Sequence, residues 1–374
     1  MKREARKLSA ILSLMIFFQL IISVSPATSQ ESENKQSVDE EKNSGYLILP
    51  VLGSSPETDF MFGGVTQYYF REPGSDPDSR PSTFTAVFIY TQKKQIISLL
   101  KLDLYKRNEE FQISGELIYN KFPDKFWGIG SKTIDDNEED YTPELIGLSL
   151  LAKKRFRPGL YLGLQYEFFK SNILKVEDDG LLSPGIIPGS TGGIASKMSL
   201  TLDYDIRDNI FSASRGRYFR LSANLYDETF GSDFNFQSIY LDMRQYITVF
   251  DNKVFAVQGY LRSLRGTPPF QMLSLLGGEN LLRGYYLGRY RDKSMFTCQM
   301  EFRTNEWKNI GMVAFAGLGN VGDNLSDIEF NDLKHSIGFG FRYVVSKKER
   351  VKIRMDFGFG KNSSGMYITL NEAF

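Results

Sequence analysis

Three stretches in this 374-residue chain alternate between apolar residues and residues that are mostly charged, polar or glycine. Leu160, Leu162, Leu164, Tyr166 and Phe168 interleave with Tyr161, Gly163, Gln165, Glu167 and Phe169. Ile337, Phe339, Phe341, Tyr343 and Val345 interleave with Ser336, Gly338, Gly340, Arg342 and Val344. Val351, Ile353, Met355, Phe357 and Phe359 interleave with Lys352, Arg354, Asp356, Gly358 and Gly360. A period of two is the signature of a strand with two unlike faces. In a soluble sandwich the polar face looks out to water, whereas in a membrane barrel it lines a wet lumen. With Tyr at 20, Phe at 30, Gly at 33 and Pro only 13, the chain has more aromatic surface than a soluble sheet would expose, which favours the barrel.

Charge and cysteine content remove other classes. Lys+Arg and Asp+Glu balance at 45 each, so no net field draws the chain to nucleic acid. Cys298 is the only cysteine, which excludes a disulfide framework and a Cys-based metal site. Lys2, Arg3, Arg6 and Lys7 precede an apolar stretch from Leu8 to Val24, and small residues follow at Ser25, Ala27, Thr28 and Ser29. That order predicts a signal peptide over residues 1–29 and export from the cytoplasm. Residues 30–45 are a short polar stub, and after it no segment has the apolar length of a membrane helix.

Turns and alternation lay out about sixteen strands: 46–55, 60–70, 82–91, 95–105, 110–121, 141–156, 159–170, 194–206, 216–226, 235–249, 253–265, 294–304, 310–319, 335–346, 350–360 and 366–374. The expected fold is all-β: a transmembrane antiparallel barrel over residues 46–374 with an even strand number and both ends on the periplasmic side. Connections at 157–158, 251–252 and 347–349 are short, and those at 122–140, 171–193, 266–293 and 320–334 are long. Short inside and long outside is the asymmetry of outer-membrane barrels. The connections at 71–81 and 56–59 depart from it, one too long and the other too short.

The run Gly277-Gly278-Glu279-Asn280-Leu281-Leu282-Arg283-Gly284-Tyr285 resembles the sixth-loop motif of the BamA/TamA outer-membrane superfamily, whose barrel is also called the bacterial surface antigen domain. In that family the motif lies between strands 11 and 12 of sixteen, where the layout above also puts Arg283. Asp205, Arg207 and Asp208, followed by Gly216, resemble a family turn on the periplasmic side, and Phe126-Trp127-Gly128-Ile129-Gly130 resembles an outer Gly-x-Gly segment. Ile337 to Arg342 and Arg354 to Gly358 are similar to its penultimate strands. The resemblance implies that the long sixth loop folds inward and that Arg283 meets acidic side chains of the following strands. Glu301 stands at one such position; at the other, Gly317 in Phe315-Ala316-Gly317-Leu318-Gly319 replaces the family's Asp. Gly278, Arg283, Gly284, Tyr285 and Glu301 thus form the expected loop lock, which either pins the loop or takes part in a moving element. The resemblance also implies a C-terminal assembly signal, here Leu370 and Phe374, with Glu372 breaking the apolar parity of Met366, Ile368, Leu370 and Phe374. The family's periplasmic POTRA modules have no room in residues 31–45, so a barrel-only member is expected.

No cofactor and no metal are expected. Gly317-Leu318-Gly319-Asn320-Val321-Gly322 fits GxGxxG, but the polar run after it lacks the helix that a nucleotide fingerprint needs. His335 is the only histidine, which disfavours a catalytic triad and a His-rich metal site; an enzyme is not expected. Acidic runs at 135–140 and 177–179 read as solvated loops, with divalent cations near lipopolysaccharide as the lesser reading. Two functions stand: membership of the machinery that inserts or translocates protein or lipid at the outer membrane, or a plugged pore lined by Lys352, Arg354, Asp356, Arg342 and Glu167. The expected partners are outer-membrane lipid and lipopolysaccharide, the barrel assembly machinery during biogenesis, and a periplasmic protein.

Overall fold

In a computed structural model of the chain, residues 44–72, 74, 81–250, 253–347 and 350–374 are described. The expected signal peptide, most of the polar stub and the turn residues 251–252 and 348–349 lie outside the described residues. The long strands run β1 Ser44–Ser55, β2 Asp59–Phe70, β3 Ser82–Thr91, β4 Ile96–Lys106, β5 Phe111–Lys121, β6 Glu139–Arg157, β7 Leu160–Lys175 and β8 Gly193–Asp205. They continue as β9 Gly216–Tyr226, β10 Phe236–Val249, β11 Lys253–Gly266, β12 Ser294–Arg303, β13 Ile310–Gly322, β14 Lys334–Ser346, β15 Val351–Gly360 and β16 Ser363–Leu370. Each pairs antiparallel with the next, and β16 returns to β1, so these strands close one barrel. A three-residue spur, Asp124–Phe126, adds to the extended end of β6.

Burial is inverted relative to a soluble sheet. On β12, Met300 and Phe302 are exposed, while Gln299, Glu301 and Arg303 between them are buried. On β14, Ile337, Phe339, Tyr343 and Val345 face out, and Ser336 and Arg342 face in. On β8, Leu200 is exposed between buried Ser199 and Thr201. An apolar outer face around a polar interior suits a lipid surround and rules out the sandwich. No helix among the described residues is long and apolar enough to cross a membrane. Aromatic neighbours reinforce the sheet, as where Phe339 stacks on its cross-strand partner Phe357 at 5.3 Å.

The strand count agrees with the sequence layout, with ends shifted by a few residues. The last strand is the main exception: β16 starts at Ser363 rather than 366 and stops at Leu370 rather than 374. Asn371 has φ of +64°, and residues 371–374 leave the sheet. Phe374 is therefore not the end of a membrane strand. It is buried in a cluster with Ala213, Tyr246, Ala256 and Ala373, carried by the 206–215 connection, β10 and β11. The parity break at Glu372 is the physical reason. Continued as a strand, Glu372 would join the apolar face with exposed Leu370.

The departures at 56–59 and 71–81 remain as connections. The first is a three-residue turn tied by a Ser55–Thr58 hydroxyl contact of 3.0 Å, and most of the second lies outside the described residues. The GxGxxG run ends β13 inside the sheet and is followed by two three-residue 3-10 turns, Leu325–Asp327 and Phe330–Asp332.

Candidate functional site: the clamp around Arg283

The β11–β12 connection contains a two-stranded ribbon, Ser274–Leu276 against Tyr290–Asp292, whose tip carries Arg283. Gly278 and Tyr285 close the tip through a backbone hydrogen bond of 3.0 Å. Leu276, Leu282, Tyr285, Met295 and Val321 form its apolar base. Leu282 has φ of +39°, a strained conformation held by the contacts on either side of it.

Arg283 is fully buried, and its guanidinium meets three strands. Nη1 donates to Asp356 Oδ2 on β15 at 2.5 Å. Nη2 lies 2.6 Å from Glu301 Oε1 on β12, a charge contact outside hydrogen-bond geometry. The guanidinium carbon sits 3.6 Å from the ring centre of Phe315 on β13, a cation–π contact in a dry surround. The Arg283 carbonyl accepts from the Ser336 hydroxyl on β14.

Gly284 and Tyr285 complete the fit. Gly284 N–H donates to the Tyr367 hydroxyl at 2.9 Å, and its carbonyl accepts from Ser363 Oγ at 2.6 Å. A Cβ on Gly284 would stand 2.8 Å from the Gly358 carbonyl carbon, and one on Gly358 would stand 2.6 Å from Arg283 backbone. Only glycine on both sides allows the two backbones this approach. Tyr285 accepts from Lys361 N–H at 2.8 Å and donates to the His335 carbonyl at 3.1 Å. The His335 side chain itself is on the exposed face of β14.

The sequence reading found one acidic partner and missed the other. Glu301 is in place; Gly317 is not a vacant acidic position, because a Cβ there would already lie 3.3 Å from Leu282. The second carboxylate is Asp356, two strands further on, so the lock does not rest on Glu301 alone. Asp356-Phe357-Gly358 repeats the Asp-x-Gly end of the pattern sought around Gly317, which was the available signal.

Beneath the clamp, β12 and β14 carry more charge. Arg303 contacts Glu301 at 2.7 Å and donates to the Phe374 carbonyl at 3.0 Å. Arg342 contacts Asp356 at 2.5 Å and Glu372 at 2.6 Å. Burial pushes the Glu372 carboxyl up, but Arg342, Arg303 and Lys352 outweigh it and hold the group well below the usual carboxylate range.

The turn motif lies at the rim where β1 begins, apart from the clamp. Asp205 accepts from Arg207 Nε at 2.9 Å and Nη2 at 2.8 Å. Asp208 accepts from Ser214 N–H at 2.9 Å, Arg215 N–H at 3.2 Å and Arg350 Nη1 at 2.6 Å. Burial raises its pKa, but the Ser214, Arg350 and backbone donors prevail and set it at about 2. Gly216, at φ +106°, starts β9 where a Cβ would meet the Ile206 carbonyl oxygen at 2.2 Å. At the other rim, Gly130 N–H donates to the Arg291 carbonyl at 2.8 Å, and Trp127 packs edge-on against Tyr286. The Gly-x-Gly segment thus braces the sixth loop. In the acidic runs, Asp135 pairs with Arg289 at 2.6 Å and Glu139 accepts from Leu182 N–H at 3.2 Å.

Comparison with known proteins bears on the fold. BamA from Haemophilus ducreyi lacking POTRA domains 1–3 is similar over 88% of this chain and 70% of that one, with a TM-score of 0.60 at 13% identity. CdiB from Acinetobacter baumannii is similar over 88% of this chain and 59% of its own, with a TM-score of 0.55 at 10% identity. CdiB from Escherichia coli gives 87% and 62%, with a TM-score of 0.56 at 10% identity. The chain thus spans less than two thirds of either CdiB. No curated protein sequence matches it. The Omp85 superfamily domain model matches residues 97–365, and the chain belongs to that superfamily of outer-membrane barrels.

Proposed function

We propose that this barrel takes part in outer-membrane biogenesis by inserting or translocating protein or lipid at the junction of β1 and β16. The observation that supports it is the junction itself. Ser54 opposite Ile368 is its one register pair, whereas every other pair of neighbouring barrel strands shares at least eight. In lipid, unpaired backbone groups along a strand edge are costly. Such an edge opens readily and offers its groups to an entering strand. The reading is non-enzymatic; its partners are outer-membrane lipid, a client barrel and the assembly machinery.

A second reading, a plugged pore, is favoured by the charged inner face, where Lys197 meets Glu167 at 2.7 Å and Arg220 meets Asp203 at 2.5 Å. One experiment separates the two. The purified chain is placed in liposomes, and folding of an unfolded client barrel is followed beside ion conductance. Accelerated client folding supports the insertion reading. Conductance that rises on Arg283→Ala, with no effect on any client, overturns it in favour of the pore.

A further inference from the structure

We propose that Glu372 couples the segment after β16 to the sixth loop, through a closed ring of six buried side chains with alternating charge. The ring runs from Arg283 to Glu301 at 2.6 Å, Glu301 to Arg303 at 2.7 Å and Arg303 to Glu372 at 3.8 Å. It returns from Glu372 to Arg342 at 2.6 Å, Arg342 to Asp356 at 2.5 Å and Asp356 to Arg283 at 2.5 Å. Every member is at most 4% exposed; within the ring three guanidinium groups meet three carboxylates, and two further cations press on it from outside, Arg354 at 3.8 Å from Asp356 and Lys352 at 3.4 Å from Glu372. Four members sit on β12, β14 and β15, which are fixed in the sheet. The other two, Arg283 and Glu372, sit on the only pieces of the ring outside it.

The consequence follows from charge balance. Without Glu372, Arg303, Arg342 and Lys352 face one another with one carboxylate fewer, and Lys352 stands 3.4 Å from the place left empty. Arg303 and Arg342 then draw on Glu301 and Asp356, the two groups that hold Arg283. Without Arg283, those carboxylates are freed to satisfy Arg303 and Arg342, and Glu372 loses its claim on them. Each of the two members outside the sheet thus stabilises the other although they do not touch, and such coupling is reciprocal. Beyond the ring, residues 371–374 are held by the apolar packing of Ala373 and Phe374 against Ala213, Tyr246 and Ala256, by Arg303 donating to the Phe374 carbonyl, and by backbone bonds from Asn371 N–H to the Lys352 carbonyl at 2.7 Å and Glu372 N–H to the Phe211 carbonyl at 3.4 Å. The inference rests on the ring and not on the proposed insertion function.

The test is thiol labelling of the folded full-length chain in liposomes, with Cys298→Ser as background. Ala373→Cys reports on the segment after β16, and Leu282→Cys on the loop; both native residues are buried. Heat-modified mobility on gels confirms that each variant is folded. Arg283→Ala is expected to raise maleimide labelling at position 373 about tenfold, and Glu372→Gln to raise labelling at position 282 by a similar factor. Asp203→Asn, which disturbs a buried ion pair outside the ring, should change neither. If Arg283→Ala does not fold, Glu301→Gln breaks the ring at the next member and takes its place. Labelling that rises only beside each substitution, with the distant site unchanged, overturns the coupling.

Discussion

At the scale of single residues, the structure ranks Arg283 and Asp208 as side chains whose loss has distinct readouts. Removing one partner of a buried ion pair leaves an uncompensated charge and costs roughly 3–5 kcal/mol. Arg283→Ala takes one cation from two fully buried carboxylates, which keep Arg303 and Arg342, and opens a hole at the loop tip, so the folded form should convert to the unfolded gel form at a lower temperature. Arg283→Lys should recover little of this. A lysine is a point charge and does not span Glu301 and Asp356 as a planar fork does. Asp208 has a depressed pKa of about 2, so its contribution is present above the unfolded value near 4. It is lost as pH falls through about 2. Pepsin cleavage within residues 206–215, for which Phe211 is a suitable site, should therefore rise steeply as pH drops from about 4 to about 2. Asp208→Asn should be cut readily across that whole window; a wild-type profile just as flat would show that Asp208 does not hold the connection.

At the scale of elements, glycines on the inner face are docking surface for the loop. Gly358→Ala places a methyl 2.6 Å from Arg283 backbone, where neither side has a flexible atom to move. Overpacking of this kind costs roughly 1–3 kcal/mol. Its expected result is a loop susceptible to protease with the barrel intact. Gly115→Ala, whose Cβ meets only Leu150 at 3.7 Å, should leave protease resistance unchanged. These glycines also show what the sequence made legible. Alternation gave the strands because each one has two unlike faces, and Gly358 and Gly360 were readable as inner-face positions. Their purpose was not, since it depends on a loop some seventy residues away in the chain. The Asp356 partner was hidden for the same reason: local patterns report neighbours along a strand and say little about which strand a loop will touch. The inward turn after Leu370 was half visible. Glu372 announced a parity break, but only the positions of Arg342, Arg303 and Lys352 explain where it goes.

At the scale of the whole molecule, closure is the least uniform property of the barrel. Fifteen of the sixteen neighbour contacts are long ladders, and the last is the single pair Ser54–Ile368. The residues that would lengthen it have turned inward to the ring, so seam and clamp compete for the same segment. A covalent staple tests what that opening is for. Opposed residues on antiparallel strands stand about 4.5–5.5 Å apart between Cα atoms, within disulfide reach. Ser54→Cys with Ile368→Cys, in a Cys298→Ser background, should therefore oxidise readily. The stapled barrel should resist heating better than its reduced form. If insertion or translocation proceeds through the junction, oxidation should abolish accelerated client folding and reductant should restore it, with ion conductance the same in both states. Client folding that continues at full rate through a quantitatively stapled seam would place the activity elsewhere on the barrel, and the single register pair would then be only a weak point in its closure.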